Sequence, residues 1–361
     1  MCWFELLIRR AGLRRLLGTF AAIVLQLLPG HAWASATCTG TANITTISMP
    51  AFASVPRDAV AGTLLSSWVS SPAVTNYYTC SVSGGTATGA EFQPLSLTPS
   101  GVKVSNNGVS TTVFNTNLPG VGIAIQVRTY ANGCSWQPWQ DLGTPGSVPG
   151  AGSPPPAPWV GTNCSANGSR TNGGQASVAL VKTGSITAGT VTGGVLFQAG
   201  SFIAPTMQSG MYQSFTVTST AVTVLSCTTP NVTVSMGSYP AATFNGSGSS
   251  SNPVGFNVAV NNCPAGMNKI QYSFDAPGGV VNVTNGVIAL SSDSTATGIG
   301  LQLKDNSGNA LKYDTQYTLG SYVTSTGGSY TIPLTAAYYQ TGTAVTAGTA
   351  NGVLTFTMTY Q

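Results

Sequence analysis

Charge is the scarcest feature of this chain. Only 6% of its 361 residues are Asp, Glu, Lys or Arg, and there is a single histidine, His31. His31 lies in a stretch that reads as an export leader. Arg9, Arg10, Arg14 and Arg15 form a basic start, and Leu16 to Leu28 is an apolar run of h-region length, too short to span a bilayer. The small-x-small sites Ala32-Trp33-Ala34 and Ala34-Ser35-Ala36 follow, so residues 1–36 are expected to be removed after Ala34 or Ala36. The general secretory route is expected, because the paired arginines lack the rest of a twin-arginine pattern. Cleavage takes His31, Cys2, Glu5 and the four arginines with it. The mature chain keeps eight basic and seven acidic residues, a formal charge near +1 rather than the +4 of the full chain. No basic field is left for nucleic acid or an anionic membrane. With no histidine, a Ser-His-Asp or Cys-His site and an imidazole metal centre are excluded. There is no Cys-x-x-Cys pair for zinc. No cofactor is expected. Nor does any long stretch carry the 3.6-residue apolar period of a helix.

What is present is β-forming. Gly, Ser, Thr and Asn dominate, and short β-rich runs recur between Gly, Asn and Pro turns, which argues an all-β sandwich architecture. A mature length of about 325 residues exceeds one sandwich and suits two. Six cysteines remain: Cys38, Cys80, Cys134, Cys164, Cys227 and Cys263. An even number in an exported chain reads as disulfides, with 15 pairings open. The last stretch alternates strictly. Leu354, Phe356, Met358 and Tyr360 fall on one face and Thr355, Thr357 and Thr359 on the other, the pattern of a half-buried strand. Such a strand needs a partner upstream or from another chain, or it carries an open edge.

That stretch also carries a resemblance. Gly348 through Gln361, with an aromatic next to last, resembles the C-terminal strand of chaperone–usher pilins. Gly298-Ile299-Gly300-Leu301-Gln302-Leu303, Tyr338-Tyr339-Gln340-Thr341-Gly342 and the Cys227–Cys263 bracket resemble further pilin motifs in the same order. The resemblance implies an immunoglobulin-like sandwich lacking its last strand. That strand is supplied first by a periplasmic chaperone and then by the N-terminal segment of an adjacent subunit, a form of strand addition. It implies a groove beside Leu354, Phe356, Met358 and Tyr360. It also implies docking of the Gln361 carboxylate on the chaperone, and passage through an usher to the cell surface. The expected layout is an adhesin domain over 37–220, a linker over 221–226 and a pilin domain over 227–361. The whole is two immunoglobulin-like or jelly-roll sandwiches in tandem, the second incomplete. Sequential disulfides are expected, 38–80, 134–164 and 227–263, each inside one proposed domain. Strands are expected at Val121–Tyr130, Ala176–Val181, Phe215–Val224 and Val232–Met236, among others.

The first half resembles two-domain fimbrial tip adhesins more loosely. Its carriers are the Cys38–Cys80 spacing, Phe114 to Ile123 and the Leu180–Gly200 region. A domain standing where a pilin has its donor segment implies a subunit that accepts a strand but donates none, and so caps a fibre. Cys134-Ser135-Trp136-Gln137-Pro138-Trp139-Gln140-Asp141 gathers two indoles, two amides and a carboxylate on one disulfide-bounded loop. Sugars offer an apolar CH face to indole and hydroxyls to amide and carboxylate. Trp136, Gln137, Trp139, Gln140 and Asp141 are therefore candidate glycan contacts, with core or loop packing the alternative role for the tryptophans and a turn role for Asp141. Glu91 joins them only through resemblance: Glu91-Phe92 stands at about the place of an acid–aromatic pair in the pocket of mannose-binding type 1 adhesins. Ser81-Val82-Ser83-Gly84-Gly85 after Cys80 departs from the pocket of mannose-binding type 1 adhesins, which argues against mannose. Arg128, Lys304 and Lys312 read as solvated strand residues. The expected role is a fimbrial tip adhesin binding a surface glycan. One rival is a structural or protein-binding tip subunit. The other is an exported glycosidase, which would need Glu91 and Asp141 to face each other across roughly 5–10 Å.

Overall fold

A computed structural model describes residues 35–146 and 153–361. Of the expected leader, residues 1–34 lie outside the described residues, and Ser35 and Ala36 open the first strand. Strands spanning residues 35–225 pair only among themselves, as do those from 254 to 360. Two β units with separate cores result.

In the first unit the largest sheet runs Ser35–Gly40, Val74–Ser83, Gly168–Lys182, Val121–Ala131, Val109–Asn115, Pro99–Asn106. Its central strands are paired antiparallel, with Lys182 opposite Val121 and Asn172 opposite Ala131. Side chains alternate along Val121–Ala131 as a period of two demands. Ile123, Ile125 and Val127 enter the core, while Gln126, Arg128 and Tyr130 take the opposite face. A second sheet, built on Ala87–Pro94, Gly194–Ile203 and Gln213–Val217, closes over that core. Phe197 stacks on Phe215 with centroids 4.8 Å apart, and Phe92 leans against Phe215 at 5.6 Å. The buried Tyr78 hydroxyl is satisfied by the Ala199 and Met211 carbonyls, which removes the cost of burying it.

Phe215–Val224 is not one strand. Gln213–Val217 pairs parallel with Asn43–Ile47 in one sheet, and Thr220–Leu225 pairs parallel with Phe52–Pro56 in another. Thr218 marks the switch between sheets, its hydroxyl accepting from the Met49 amide at 2.8 Å. The stretch expected to be a linker is therefore mostly strand. Val222 is buried in the first core and Val224 packs against it, leaving Ser226 alone between Leu225 and Cys227.

The second unit packs the sheet Val254–Cys263, Gly328–Gln340, Ile299–Asp305, Val287–Ile288, Val280–Asn282 against Tyr317–Thr318, Ile270–Asp275, Thr355–Tyr360. The all-β architecture and all three sequential disulfides are as expected. Closing loops of 30 to 42 residues, each bridge is worth about 3–4 kcal/mol in the loop-entropy account. One expected strand is missing: Val232–Met236 belongs to no ladder.

Candidate functional site: an open groove and a stacked arginine

A groove of ≈ 770 Å³ explains the missing ladder. Its margins are Asn231–Gly237 on one side and Ala350–Phe356 on the other. Its floor is the core itself: Phe256, Val258, Phe274, Leu301, Leu303, Ala336 and Tyr338. The two margins thus flank a strip of core with no strand between them, its residues buried apart from the half-buried Phe256. Val232–Met236 has β-forming side chains but no neighbour to bond.

The other margin continues into Thr355–Tyr360, which pairs with Ile270–Asp275 along one edge only. Lys269 and Gln361 exchange both backbone bonds at 3.0 Å. By antiparallel alternation Thr359 and Thr357 turn their amides the same way, and Phe356, Met358 and Tyr360 turn theirs to the opposite edge. At the far end that edge is occupied by the first unit. The Tyr360 amide donates to Asp58 Oδ2 at 2.9 Å, and the Asp58 amide donates to the Tyr360 carbonyl at 3.2 Å. Arg57 Nη2 donates to the Met358 carbonyl, and the Arg57 guanidinium lies 4.7 Å over the Tyr360 ring. Burial alone would raise the Asp58 carboxyl, but hydrogen bonds from Arg57 and Tyr360 outweigh it and hold it below the ordinary range. Of the four apolar residues expected along the groove, Leu354 and Phe356 line it, whereas Met358 and Tyr360 are buried beyond its end. Gln361 is bound through its backbone to Lys269.

The second candidate lies on the outer face of the first unit. After Ala131 the chain turns back on itself. Ser135–Trp136 pairs with Tyr130 and Ala131, and Gln140–Asp141 pairs with Val127 and Gln126. Pro138, which has no N–H to give a ladder, sits between these short pairings. Trp136 is set 5.3 Å from Tyr130, and both indoles close on Arg128, whose guanidinium carbon is 4.7 Å from the Trp136 ring and 4.8 Å from the Trp139 ring. Gln175 Oε1 accepts from Arg128 Nε and Nη2 at 2.9 and 2.6 Å. Arg128 is thus no freely solvated strand residue. Its place across the ladder from Gln175 follows from pairing between strands almost fifty residues apart, which no local pattern contains.

The other expected glycan contacts do not join this cluster. Gln140 Nε2 donates inward to Thr162 Oγ1, and Gln137 Nε2 donates to the Cys134 carbonyl. Asp141 is buried and fully engaged. Its carboxylate accepts from the Thr112 amide and hydroxyl, the Gly143 amide and the Thr144 hydroxyl. It replaces the backbone acceptor that Thr112 lacks where Val109–Asn115 parts from its neighbour, a turn role rather than a ligand role. Glu91 is 0% exposed in the inner layer. Asn163 Nδ2 donates to its Oε1 at 3.3 Å, and Oε2 has no partner among the described residues. Burial pushes the carboxyl up to about 8, against the smaller opposing pull of Asn163. Glu91 and Asp141 thus lie in separate buried networks, and neither carboxylate faces solvent as a surface ligand would require.

Comparison with known proteins gives the family. The family model for fimbrial proteins matches residues 215–361. The S-fimbrial protein subunit SfaA of Escherichia coli O6:K15:H31 is 36% identical over 136 residues, 36% of this chain and 72% of that protein. The chain belongs to the fimbrial protein family. The type-1 fimbrial A chain of Escherichia coli K12 is 37% identical to this fimbrial protein over 132 residues, which cover 71% of that relative. Among solved structures, the CupB6 tip adhesin of Pseudomonas aeruginosa aligns over 90% of this chain and 93% of its own, at 16% identity and a TM-score of 0.34. The family is one of fimbrial subunits, not of enzymes.

Proposed function

We propose that this fimbrial protein is a chaperone–usher tip adhesin: its second unit accepts a strand from a neighbour, and its first unit binds a surface glycan. The observation that supports this most is the groove. It runs over the core between Asn231–Gly237 and Ala350–Phe356, beside an edge where the Phe356 amide and carbonyl are turned away from the paired strand. An extended segment with alternate apolar residues would complete that edge and cover the floor. Each apolar side chain it buries would contribute about 1.5–3 kcal/mol. A periplasmic chaperone fills the groove first and an adjacent subunit later. The first unit, standing ahead of Cys227 in the chain, caps the fibre and performs no catalysis. The boundary between the units is placed at Ser226.

Assembly is tested by deleting Gly352–Gln361, which removes one groove margin and the last strand. The truncated chain is expected to be lost from the periplasm. Its survival as a soluble chaperone complex would contradict strand acceptance. Glycan binding is tested on an array with the mature chain, alongside Trp136→Ala and Trp139→Ala. Each variant is expected to lose at least tenfold in affinity with an unchanged melting temperature. Full affinity in both would remove this face from the site.

A further inference from the structure

The site just proposed has a charge that the glycan reading alone does not use. Arg128 is half-buried against two indoles, and among the described residues its guanidinium hydrogen-bonds only the amide of Gln175. Among the described residues the ion pairs are Arg57–Asp58 and Lys103–Asp141, so Arg128 has no counter-charge. Stacking on indole engages a face of a guanidinium and leaves its in-plane N–H groups to bond. Gln175 accepts from Nε and one Nη2 hydrogen, and the Nη1 side remains.

We infer that Arg128 anchors a carboxylate-bearing sugar, so that the glycan bound here is acidic. The inference rests on the adhesin reading above and names its ligand class. Gln175 and the two rings fix the fork in one orientation, so little side-chain freedom is lost on binding. A sugar carboxylate would pair with the free edge of that fork, a charge-assisted contact that a neutral sugar cannot make. The pyranose CH face would lie against Trp139, which has no aromatic neighbour on its other face among the described residues. The position suits capture at a distance. Arg128 is seven residues along the ladder from Val121, whose partner Lys182 bonds the Arg57 carbonyl at the junction with the second unit. At ~3.3 Å per residue that is about 23 Å from the junction.

The experiment uses the full mature chain and two acidic probes, an N-acetylneuraminic-acid-terminated trisaccharide and a glucuronic-acid-terminated disaccharide. Each is compared with its own carboxamide and with neutral oligosaccharides. At least one acid is expected to bind tenfold or more tightly than its amide, and to weaken as salt is raised. Arg128→Lys keeps the charge but not the fork, and is expected to lose that preference. The acid–amide comparison on the unaltered protein decides the matter even where an Arg128 variant fails to fold. Equal binding of acid and amide, or a preference for neutral sugars, would overturn this inference and leave the glycan adhesin intact. No binding to any sugar would overturn both.

Discussion

Glu91 is the residue where burial and chemistry conflict most. Its folded value, about 8, lies above the ordinary 4.5, so the native state holds a proton that the unfolded chain gives up. Its contribution to stability is therefore fully present below pH 4.5 and is lost as pH rises toward 8. At about 1.4 kcal/mol per unit the difference amounts to a few kcal/mol. A neutral Glu91 has an Oε2 hydrogen to donate, and Asn163 Oδ1 is an acceptor without a partner. Glu91→Gln is expected to melt higher than the parent above pH 8 and to match it near pH 4, checked by thermal unfolding across that range. Gly161 belongs to the same packing, because a Cβ there would overlap Glu91 Oε2. The sequence singled out Glu91 and Asp141 as rare carboxylates in a sugar-binding context. Rarity says nothing about which face of a sheet a residue takes, and both turned inward. Trp136 and Trp139 were legible because two indoles three residues apart on a disulfide-bounded loop are unusual anywhere. Their partner Arg128 was not, since only the antiparallel return of the chain brings it beneath them.

At the scale of elements, the last strand was the most legible part of the molecule. Its alternation marked both its existence and its apolar face, and the structure pairs Thr355–Tyr360 as expected. The alternation could not show where the groove ends. Leu354 and Phe356 face it, while Met358 and Tyr360 pass into the closed core, because Arg57 and Asp58 of the other unit cap that end of the edge. Val232–Met236 failed as a strand for the complementary reason. Its residues favour β-structure, but sheet hydrogen bonds need a neighbour, and the neighbouring position is the groove. Phe356→Asp would set a charge against the apolar floor. It is expected to weaken capture of a complementing peptide by a hundredfold or more while the first unit's melting transition stays in place. An unchanged affinity would mean that the groove is not where a strand binds.

At the scale of the molecule, the two units meet through a short connection and one turn. Parallel pairing of Thr220–Leu225 with Phe52–Pro56 carries the chain out beside Arg57, so the same strands that close the first unit present its clamp to the second. The Arg57–Asp58 pair is partly exposed, with 47% and 31% of the side chains accessible. Its ionic part is therefore worth no more than about 1 kcal/mol, and the bonds to Tyr360 and Met358 matter more. Arg57→Ala with Asp58→Ala is expected to leave both units folded and to increase the radius of gyration in small-angle scattering. Because the Asp58 carboxyl is held below its ordinary range, its contribution is present above that range and is lost as pH falls through the folded value, so acid should mimic the double substitution. Fimbrial membership followed from spaced motifs, two β units from composition and length, and the disulfide pairing from keeping each bridge inside one unit. The clamp did not, because its partners are separated by some three hundred residues.

Assembly into a fibre depends on whether the groove accepts a strand. The most direct measurement is amide hydrogen exchange on the mature chain, with and without the N-terminal segment of a neighbouring fimbrial subunit as a peptide. Strand acceptance predicts strong new protection at Val232–Met236, Leu354 and Phe356, with little change at Thr355, Thr357, Thr359 and Gln361, whose amides already face the Ile270–Asp275 strand. Protection elsewhere, or none at those two margins under saturating peptide, would contradict it.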